Sequence, residues 1–568
     1  MSKKILVTGL CTLHWGRLQY GNVGNYYIME PMFRLLHERF PEHEIATTFQ
    51  MDDRFVKQEK VTVLPMELYY AWKDDDVANA KKDVEAATAG VTVANETAYL
   101  AAIKDCDLII NVSGDMWGDN AEHVGHDRFL VDCLKMRAAQ LLGKKTILYA
   151  VTPGAFEHVD KALAKEVFET FDLVLIRERV SFGNLTKWGF DISRVHYIPC
   201  PSYLFEPNVK YTSGWSDTIN KKKEAGRRVV GFTFGGFNMP VGPYDMWPRE
   251  ESQYDTFKKA VLKLVCEHDA DVVLFSHTNG FLLPPKFKLI NGRDFQILSR
   301  FYEILLATNP EIADRILLIN EPLLPCDLKH VIGLFDMLVT GRVHASVAST
   351  SQCVPTVFVE YDRRVIYSDK MTGFSAQVGM ERYVCNPADE GELLSKIEDC
   401  IDNLDFIRSK LGELVPTVQA NAREGFNMMW KVYSEGRILS FLKDVDGLFT
   451  PTLSARVDLN AYAKKLATYA NTIFITNACG DEDVASCSFY ADKEIAYVSS
   501  IAVKQEYHHM GYGMQLMDKV IEICRGKGCS CIRLEAYTAN DASVRYYKRM
   551  GFSVLRQNEQ IVEFEYNL

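Results

Sequence analysis

Two places in this sequence carry residue types spaced for chemistry on charged substrates. The first is Asp336-Met337-Leu338-Val339-Thr340-Gly341-Arg342-Val343-His344-Ala345, an apolar run that breaks at Gly341 and continues as helix-compatible residues. A turn that opens a helix offers unpaired backbone N–H groups to an anion. Arg342 adds a planar fork suited to carboxylate or phosphate, and His344 titrates near neutrality and can move a proton. Arg177 and His277 also stand just beyond apolar runs, Leu173 to Ile176 and Asp271 to Phe275. A lone arginine or histidine at a strand end is more often a capping or surface residue, and His277 by itself reads that way. The second place is His508-His509-Met510-Gly511-Tyr512-Gly513, ahead of an amphipathic stretch with Met514, Leu516, Met517, Val520 and Ile521. Glycines there let backbone amides at a helix start approach a pyrophosphate, although Gly-x-Gly alone is also an ordinary loop.

Positioning these residues takes strands and helices in alternation. Apolar runs at Lys4 to Thr8, Asp107 to Val112, Lys145 to Val151 and Leu173 to Ile176 form one set, with amphipathic stretches such as Arg128 to Leu142 between them. A second set comprises Val229 to Phe234, Asp271 to Phe275, Ile316 to Ile319, Met337 to Thr340 and Thr356 to Val359. This βα pattern predicts two Rossmann-like parallel sheets, residues 1–217 and 228–445, joined by a lysine-rich linker from Thr218 to Arg228. Helical residues run from about Glu390 to Leu442, and no fixed-period repeat suggests a solenoid. A third domain, 453–568, follows a break at Asp444-Val445-Asp446-Gly447 and Pro451. It reads as the helix Leu459 to Tyr469, strands Thr472 to Thr476, Val484 to Tyr490 and Ile495 to Val503, the glycine loop and its helix, and the strand Cys531 to Ala536.

Over roughly residues 3 to 385 the ordered motifs resemble the polysaccharide pyruvyl transferase family. Gly21-Asn22-Val23-Gly24-Asn25 resembles its Gly-Asn-x-Gly-Asp loop, Asn111-Val112-Ser113-Gly114-Asp115 its glycine-rich turn, and Ile176-Arg177-Glu178-Arg179-Val180-Ser181 its Arg-Asp/Glu-x-x-Ser segment. The strongest match is Asp336 to Ala345 with Val354-Pro355 and Tyr361, similar to the family's Asp-x-x-x-x-x-Arg-x-His-Ala turn. Asn25 in place of Asp, Ser113 and Asp115 in place of glycines, and Cys200-Pro201-Ser202 where Asp is common are departures, and they leave the acceptor and the transferred group open. The resemblance implies a GT-B-like pair of Rossmann-like domains and pyruvyl transfer from phosphoenolpyruvate to two sugar hydroxyls. On that chemistry Arg342 and then Arg177 are the candidates for the donor's phosphate and carboxylate, His344 for proton transfer, and His277 and Asn25 for further substrate contacts. No metal is required. In this ordered block the Arg342/His344 pair reads as a binding site rather than a cap.

The C-terminal residues resemble the GNAT N-acetyltransferases. His508 to Gly513 matches the acetyl-CoA loop Gln/Arg-x-x-Gly-x-Gly/Ala, with His508 at the Gln/Arg position, and Ser500-Ile501-Ala502-Val503 looks like the strand that splays from its neighbour. Asn540-Asp541-Ala542-Ser543 with Tyr547-Lys548-Arg549-Met550-Gly551-Phe552 resembles Asn-x-x-Ala...Tyr-x-x-x-Gly-Phe. The resemblance implies an α/β domain with a mixed, mainly antiparallel sheet. It implies acetyl-CoA held by Ile501, Val503, His508, His509, Met510, Gly511, Gly513 and Asn540, and Tyr547 as proton donor to the departing thiolate. Glu535 and Glu494 are the acidic candidates for the base; either could be a solvated charge, and water could relay the proton.

Composition sets bounds. The 568 residues carry a formal net charge of -11 without an acidic tail, which argues against general nucleic-acid binding. The basic start MSKKILVTGL gives way to His14-Trp15-Gly16-Arg17 and reads as a first strand, and no apolar run approaches a membrane-spanning length. The 14 cysteines lack any Cys-x-x-Cys pair, which suits reduced thiols and a cytoplasmic setting; Cys529 and Cys531 read as buried thiols. The expectation is a bifunctional transferase of surface-polysaccharide synthesis acting on a sugar or lipid-linked glycan, with peripheral contact to a lipid-linked substrate compatible with it. The alternatives for the large part are a GT-B glycosyltransferase using a nucleotide sugar and a non-catalytic glycan-binding module.

Overall fold

Runs of Val, Ile and Leu with no polar alternation are stable in a sheet only when both of its faces are covered, and the computed structural model places them so. It describes residues 3–10, 18, 21–206, 213–239, 241, 243, 246–278, 293–360, 370–478 and 482–568. The chain divides into two compact units, Lys4–Phe426, and Asn427–Leu568 with Met1–Lys3.

The larger unit holds two sheets. The first comprises β1 (Lys4–Thr8), β2 (Glu44–Thr47), β3 (Thr62–Val63), β4 (Cys106–Val112), β5 (Lys145–Val151), β6 (Leu173–Ile176) and β7 (Val195–Tyr197), in the order β3-β2-β1-β4-β5-β6-β7. The second comprises β8 (Arg228–Thr233), β9 (Ala270–Leu274), β10 (Ile316–Leu318), β11 (Met337–Thr340), β12 (Thr356–Val359) and β13 (Val384–Cys385), in the order β10-β9-β8-β11-β12-β13. Neighbours in both are parallel. The winding direction reverses between β1 and β4 and between β8 and β11. Such reversals open a crevice beyond the carboxyl ends of the strands, where open α/β sheets bind ligands.

Sequence reading missed β2, β3, β7 and β13, which lie toward the sheet margins and are too short to show periodicity. It also took Thr218–Arg228 for a linker, whereas Trp215–Glu224 is a helix. Ile219 is fully buried, the lysines of the last turn suit its carbonyl end, and Lys223 Nζ donates to Leu334 O at 2.8 Å and pairs with Asp336 at 3.0 Å.

The smaller unit is built on β14 (Asn471–Thr476), β15 (Asp483–Tyr490), β16 (Ile495–Val503), β17 (Cys531–Tyr537), β18 (Ser553–Gln557) and β19 (Ile561–Asn567). The order is β14-β15-β16-β17-β19-β18, antiparallel except for β16 beside β17. The amphipathic helix Tyr512–Gly526 buries Leu516, Met517, Val520, Ile521 and Cys524 in its core.

The division between the units falls inside the helix Leu404–Val445, ahead of the break expected near 443–454. Ile438 and Leu442 cluster with Leu453, Ala463 and Leu466, and Arg437 grips Asp483 through two bonds of 2.7 Å. A fragment 427–568 is therefore expected to fold, whereas one beginning at Thr450 loses two buried aliphatic side chains, each contributing about 1.5–3 kcal/mol. Thermal melts of both fragments check this, and equal midpoints would count against it.

Candidate active sites

In the larger unit, residues at the carboxyl ends of both sheets converge on His344. Arg177 directly follows β6; its Nε donates to Thr152 Oγ1 at 2.8 Å, and its NH1 lies 3.5 Å from His344 Nε2. Cys200, after β7, puts its Sγ 3.9 Å from the same nitrogen and accepts a hydrogen bond from Ser202 Oγ at 3.0 Å. His344 belongs to the helix Val343–Thr350, which starts two residues past β11. The helix Val23–Arg39 rests on its ring at Gly24, where a Cβ would overlap His344 Nδ1, Cβ and Cγ. Beside them, Lys370 and Asp115 form an ion pair between the halves.

Arg342 is pinned from behind. Its Nε donates to Asp294 Oδ1 at 2.8 Å and a second arm pairs with the same oxygen. Asp294 is fully buried, and its Oδ2 accepts the backbone N–H groups of His277 at 2.9 Å and Thr278 at 2.7 Å. The Arg342 fork is thus shared with a carboxylate that shapes the loop after β9. The ring of His277 meets Tyr27 edge-on at 5.5 Å, its Nε2 is buried with no hydrogen-bond partner among the described residues, and its carbonyl accepts from Val23 N at 3.2 Å. Asn25 is buried in the first turn of the helix that starts there.

Burial and neighbouring guanidinium groups act together on the two imidazoles. Burial, then Arg177 and His277, hold His344 well below the usual histidine range, against a smaller opposing pull from Asp115. Burial and Arg342 bring His277 down to about 3. For Asp115 burial acts against the charge, but Lys370 and Arg177 outweigh it and keep the carboxyl well below its ordinary value.

In the smaller unit β16 pairs with β17 only over Ile495–Val498, while β17 runs on to Tyr537 against β19. Opposite β15, Ser499 is an extra residue between the pairs Phe489–Val498 and Ser488–Ser500. Such a bulge bends a strand. Tyr462 holds it, its hydroxyl lying 3.0 Å from Ser499 O and 2.9 Å from Ser499 Oγ. The wedge between the strands is thus flanked by Ile501 and Val503, both half-buried. His508 Nε2 sits 2.9 Å from Val503 O. His509 and Gly511 adopt φ of 64° and 85°, and exposed Met510 lies between them. At Gly511 a Cβ would meet nothing within 4 Å, so the left-handed backbone rather than crowding calls for glycine. Tyr546 OH donates to Gly513 O at 2.6 Å.

Tyr547 is buried against Phe552 and Phe564, at ring separations of 5.8 and 5.6 Å, and burial pushes its phenol well above the ordinary value. Asn540 caps the helix Asp541–Arg549, its Oδ1 accepting from Ser543 N at 3.1 Å. Glu535 is exposed one residue past the last β16–β17 pair, across from Glu563. Glu494 precedes β16 at the closed end of the wedge, where its carbonyl accepts from Ser530 N at 2.7 Å.

The structure brings together Arg177, His344 and Gly24, and separately Arg342 and His277. Tyr361 and the segment His14 to Arg17 lie outside the described residues. Sequence reasoning missed Asp294, Lys370 and the contact of Cys200; Asp294 and Lys370 stand in no motif, Cys200 stood out only as a departure from the family's Asp, and only folding sets them beside the motif residues. Cys529 and Cys531 are buried and free. Among the described residues no cluster of His, Cys, Asp or Glu could hold a metal, and no helix is long and apolar enough to cross a membrane.

Two facing switch points in one unit and a split sheet with a glycine loop in the other define a chain with two transferase domains. Residues 22–363 match the family model for polysaccharide pyruvyl transferase, and residues 448–552 match that of the GNAT acetyltransferase family. The chain belongs to the polysaccharide pyruvyl transferase family and carries a GNAT acetyltransferase domain. Among curated proteins it is similar to thialysine N-epsilon-acetyltransferase of Mus musculus, 33% identical over 70 residues that make up 12% of this chain and 41% of that protein. The chain thus spans about two fifths of that relative's length. Among solved structures it is similar to a putative UDP-N-acetylglucosamine 2-epimerase from Listeria monocytogenes, with 12% identity, coverage of 77% and 97%, and a TM-score of 0.48. It is also similar to Anabaena HepE in complex with UDP and glucose, with 13% identity, coverage of 75% and 97%, and a TM-score of 0.44.

Gly24→Ala is expected to force His344 out of place, costing about 1–3 kcal/mol as overpacking does. Thermal melting checks this; an unchanged melt would show that the contact is dispensable.

Proposed function

We propose that the larger unit transfers the pyruvyl group of phosphoenolpyruvate to two hydroxyls of a glycan, and that the smaller unit transfers acetyl from acetyl-CoA to an amine such as that of an amino sugar. The observation that carries the first reading is the meeting of Arg177 and His344, one from each half, at facing carboxyl ends. Arg177 and Arg342 bind the donor's phosphate and carboxylate, with His277 and Asn25 lining the site. Ketal formation adds a proton to the enol methylene, breaks the carbon–oxygen bond to phosphate, and forms two bonds to sugar oxygens whose protons leave. His344 carries one of these protons. It is neutral in the free protein, and a bound anion offsets Arg177 and raises its proton affinity. A polysaccharide precursor made inside the cell, water-borne or lipid-linked, suits this chemistry and a cytoplasmic setting.

For the acetyltransferase the support is the bulge-driven opening of β16 from β17. Acetyl-CoA supplies an activated acyl group. Backbone amides around His508, His509, Met510, Gly511 and Gly513 bind its pyrophosphate, Ile501 and Val503 offer backbone groups to its arm, and Asn540 orders the turn beside it. Tyr547, kept protonated by burial, donates to the leaving sulfur, and Glu535 accepts the amine's proton.

Two outcomes follow. Because His344 starts neutral, binding of phosphoenolpyruvate near pH 7 should take up a proton, seen by calorimetry in buffers of different ionisation enthalpy. His344→Ala should abolish the uptake and slow turnover, whereas Arg177→Ala should mainly weaken donor binding; uptake that persists in His344→Ala refutes the assignment. Tyr547→Phe should leave acetyl-CoA affinity near wild type and lower acetyl transfer by about ten-fold to ten-thousand-fold, while Gly511→Val should weaken acetyl-CoA binding sharply. Unchanged thiol release in the tyrosine variant would mean that the sulfur takes its proton elsewhere.

A further inference from the structure

On β17 side chains alternate between faces. Leu534 and Ala536 join the core, whereas Glu535 and Tyr537 face the other way, just past the point where β16 departs. The charges on this face are unevenly satisfied. Arg533 pairs with Glu565 and Arg556 with Glu563, at 2.7 and 2.6 Å. Glu535 is exposed and has no ion-pair or hydrogen-bond partner among the described residues. The Arg456 guanidinium makes no direct ion pair among them, although the Asp446 carboxylate attracts it through space; it lies 5.0 Å over the Tyr537 ring and 5.6 Å over Phe449.

The turn that carries Arg456 is built rather than loose. Asp446 accepts from Ser454 N at 2.7 Å and from its hydroxyl at 2.5 Å, and Arg456 N donates to Leu453 O at 2.9 Å. Tyr462, tied to Ser499, and half-buried Tyr497 complete the surroundings. Burial first, then Glu535 and Tyr462, raise the Tyr497 phenol to about 12.

One unpaired carboxylate and one stacked guanidinium thus stand among tyrosine rings at the mouth of the wedge. A carboxylate at that place attracts an ammonium. A guanidinium stacked on Tyr537 with its edge turned to solvent suits a carboxylate or phosphate, and tyrosine faces suit the apolar side of a compact ring. Resting on the acetyltransferase reading above, we infer that the acetyl acceptor is an amine that also bears an anionic group, carboxylate or phosphate, with Arg456 binding the anion and Glu535 facing the amine.

The test uses the full chain and matched acceptors: glucosamine against glucosamine 6-phosphate, glucosamine against its uronic acid, and lysinamide against lysine. The anionic member of at least one pair should be preferred in kcat/KM by about ten-fold or more, the range of a charge-assisted contact; the phosphate and carboxylate pairs show which anion is read. Arg456→Gln should erase that preference through KM, and Arg456→Lys should restore part of it. Equal use of both members of every pair, a preference that survives in Arg456→Gln, or acetylation of none of the anionic amines overturns the inference. Failure of the wild type to bind acetyl-CoA in calorimetry would instead overturn the acetyltransferase reading.

Discussion

The Asp294 carboxylate ties the candidate site of the larger unit together. Removing a carboxylate from water is expensive unless its charge and lone pairs are met, and here one oxygen takes Arg342 while the other takes the N–H groups of His277 and Thr278. That arrangement shapes the chain after β9 so that His277 O receives Val23 N. The helix Val23–Arg39 is seated by this bond, Gly24 then lies on His344, and His344 faces Arg177 from the opposite sheet. A substitution at Asp294 would take this carboxylate from Arg342 and from the two N–H groups of the loop.

The arginines so placed also account for the state of the two imidazoles. Buried histidines next to guanidinium groups lose their proton because both desolvation and the neighbouring charge oppose it. Asp115 is held by Lys370 and also by Arg177, so the protein itself brings a carboxylate to the Arg177–His344 pair, and burial and the guanidinium outweigh it at the imidazole.

The smaller unit parts two neighbouring strands by a backbone device. One extra residue, Ser499, bends β16 away from β17, and the freed edge lies beside a helix start reached through left-handed residues. The same departure exposes Glu535 on the neighbouring strand, so the opening and its carboxylate have one cause.

Periodicity and turn residues made the parallel sheets, the strands of the smaller unit, the glycine loop and the Arg342/His344 turn legible, because each is a local pattern with a local physical cause, whereas the mixed pairing of the smaller sheet was implied by the resemblance to the GNAT acetyltransferases. The short strands β2, β3, β7 and β13 were not, since a few residues carry no period. The lysine-rich stretch before β8 looked like a linker because its polar composition hides the single buried residue, Ile219, that anchors it as a helix. Arg177 and His344 were nameable from the sequence, but not their contact, nor the roles of Asp294 and Lys370 beside them. Residues 167 positions apart meet only after two sheets have turned their carboxyl ends to each other. The sequence by itself determined which groups are chemically able; the tertiary structure decided their neighbours and hence their charge, because burial and proximity act through space and not along the chain.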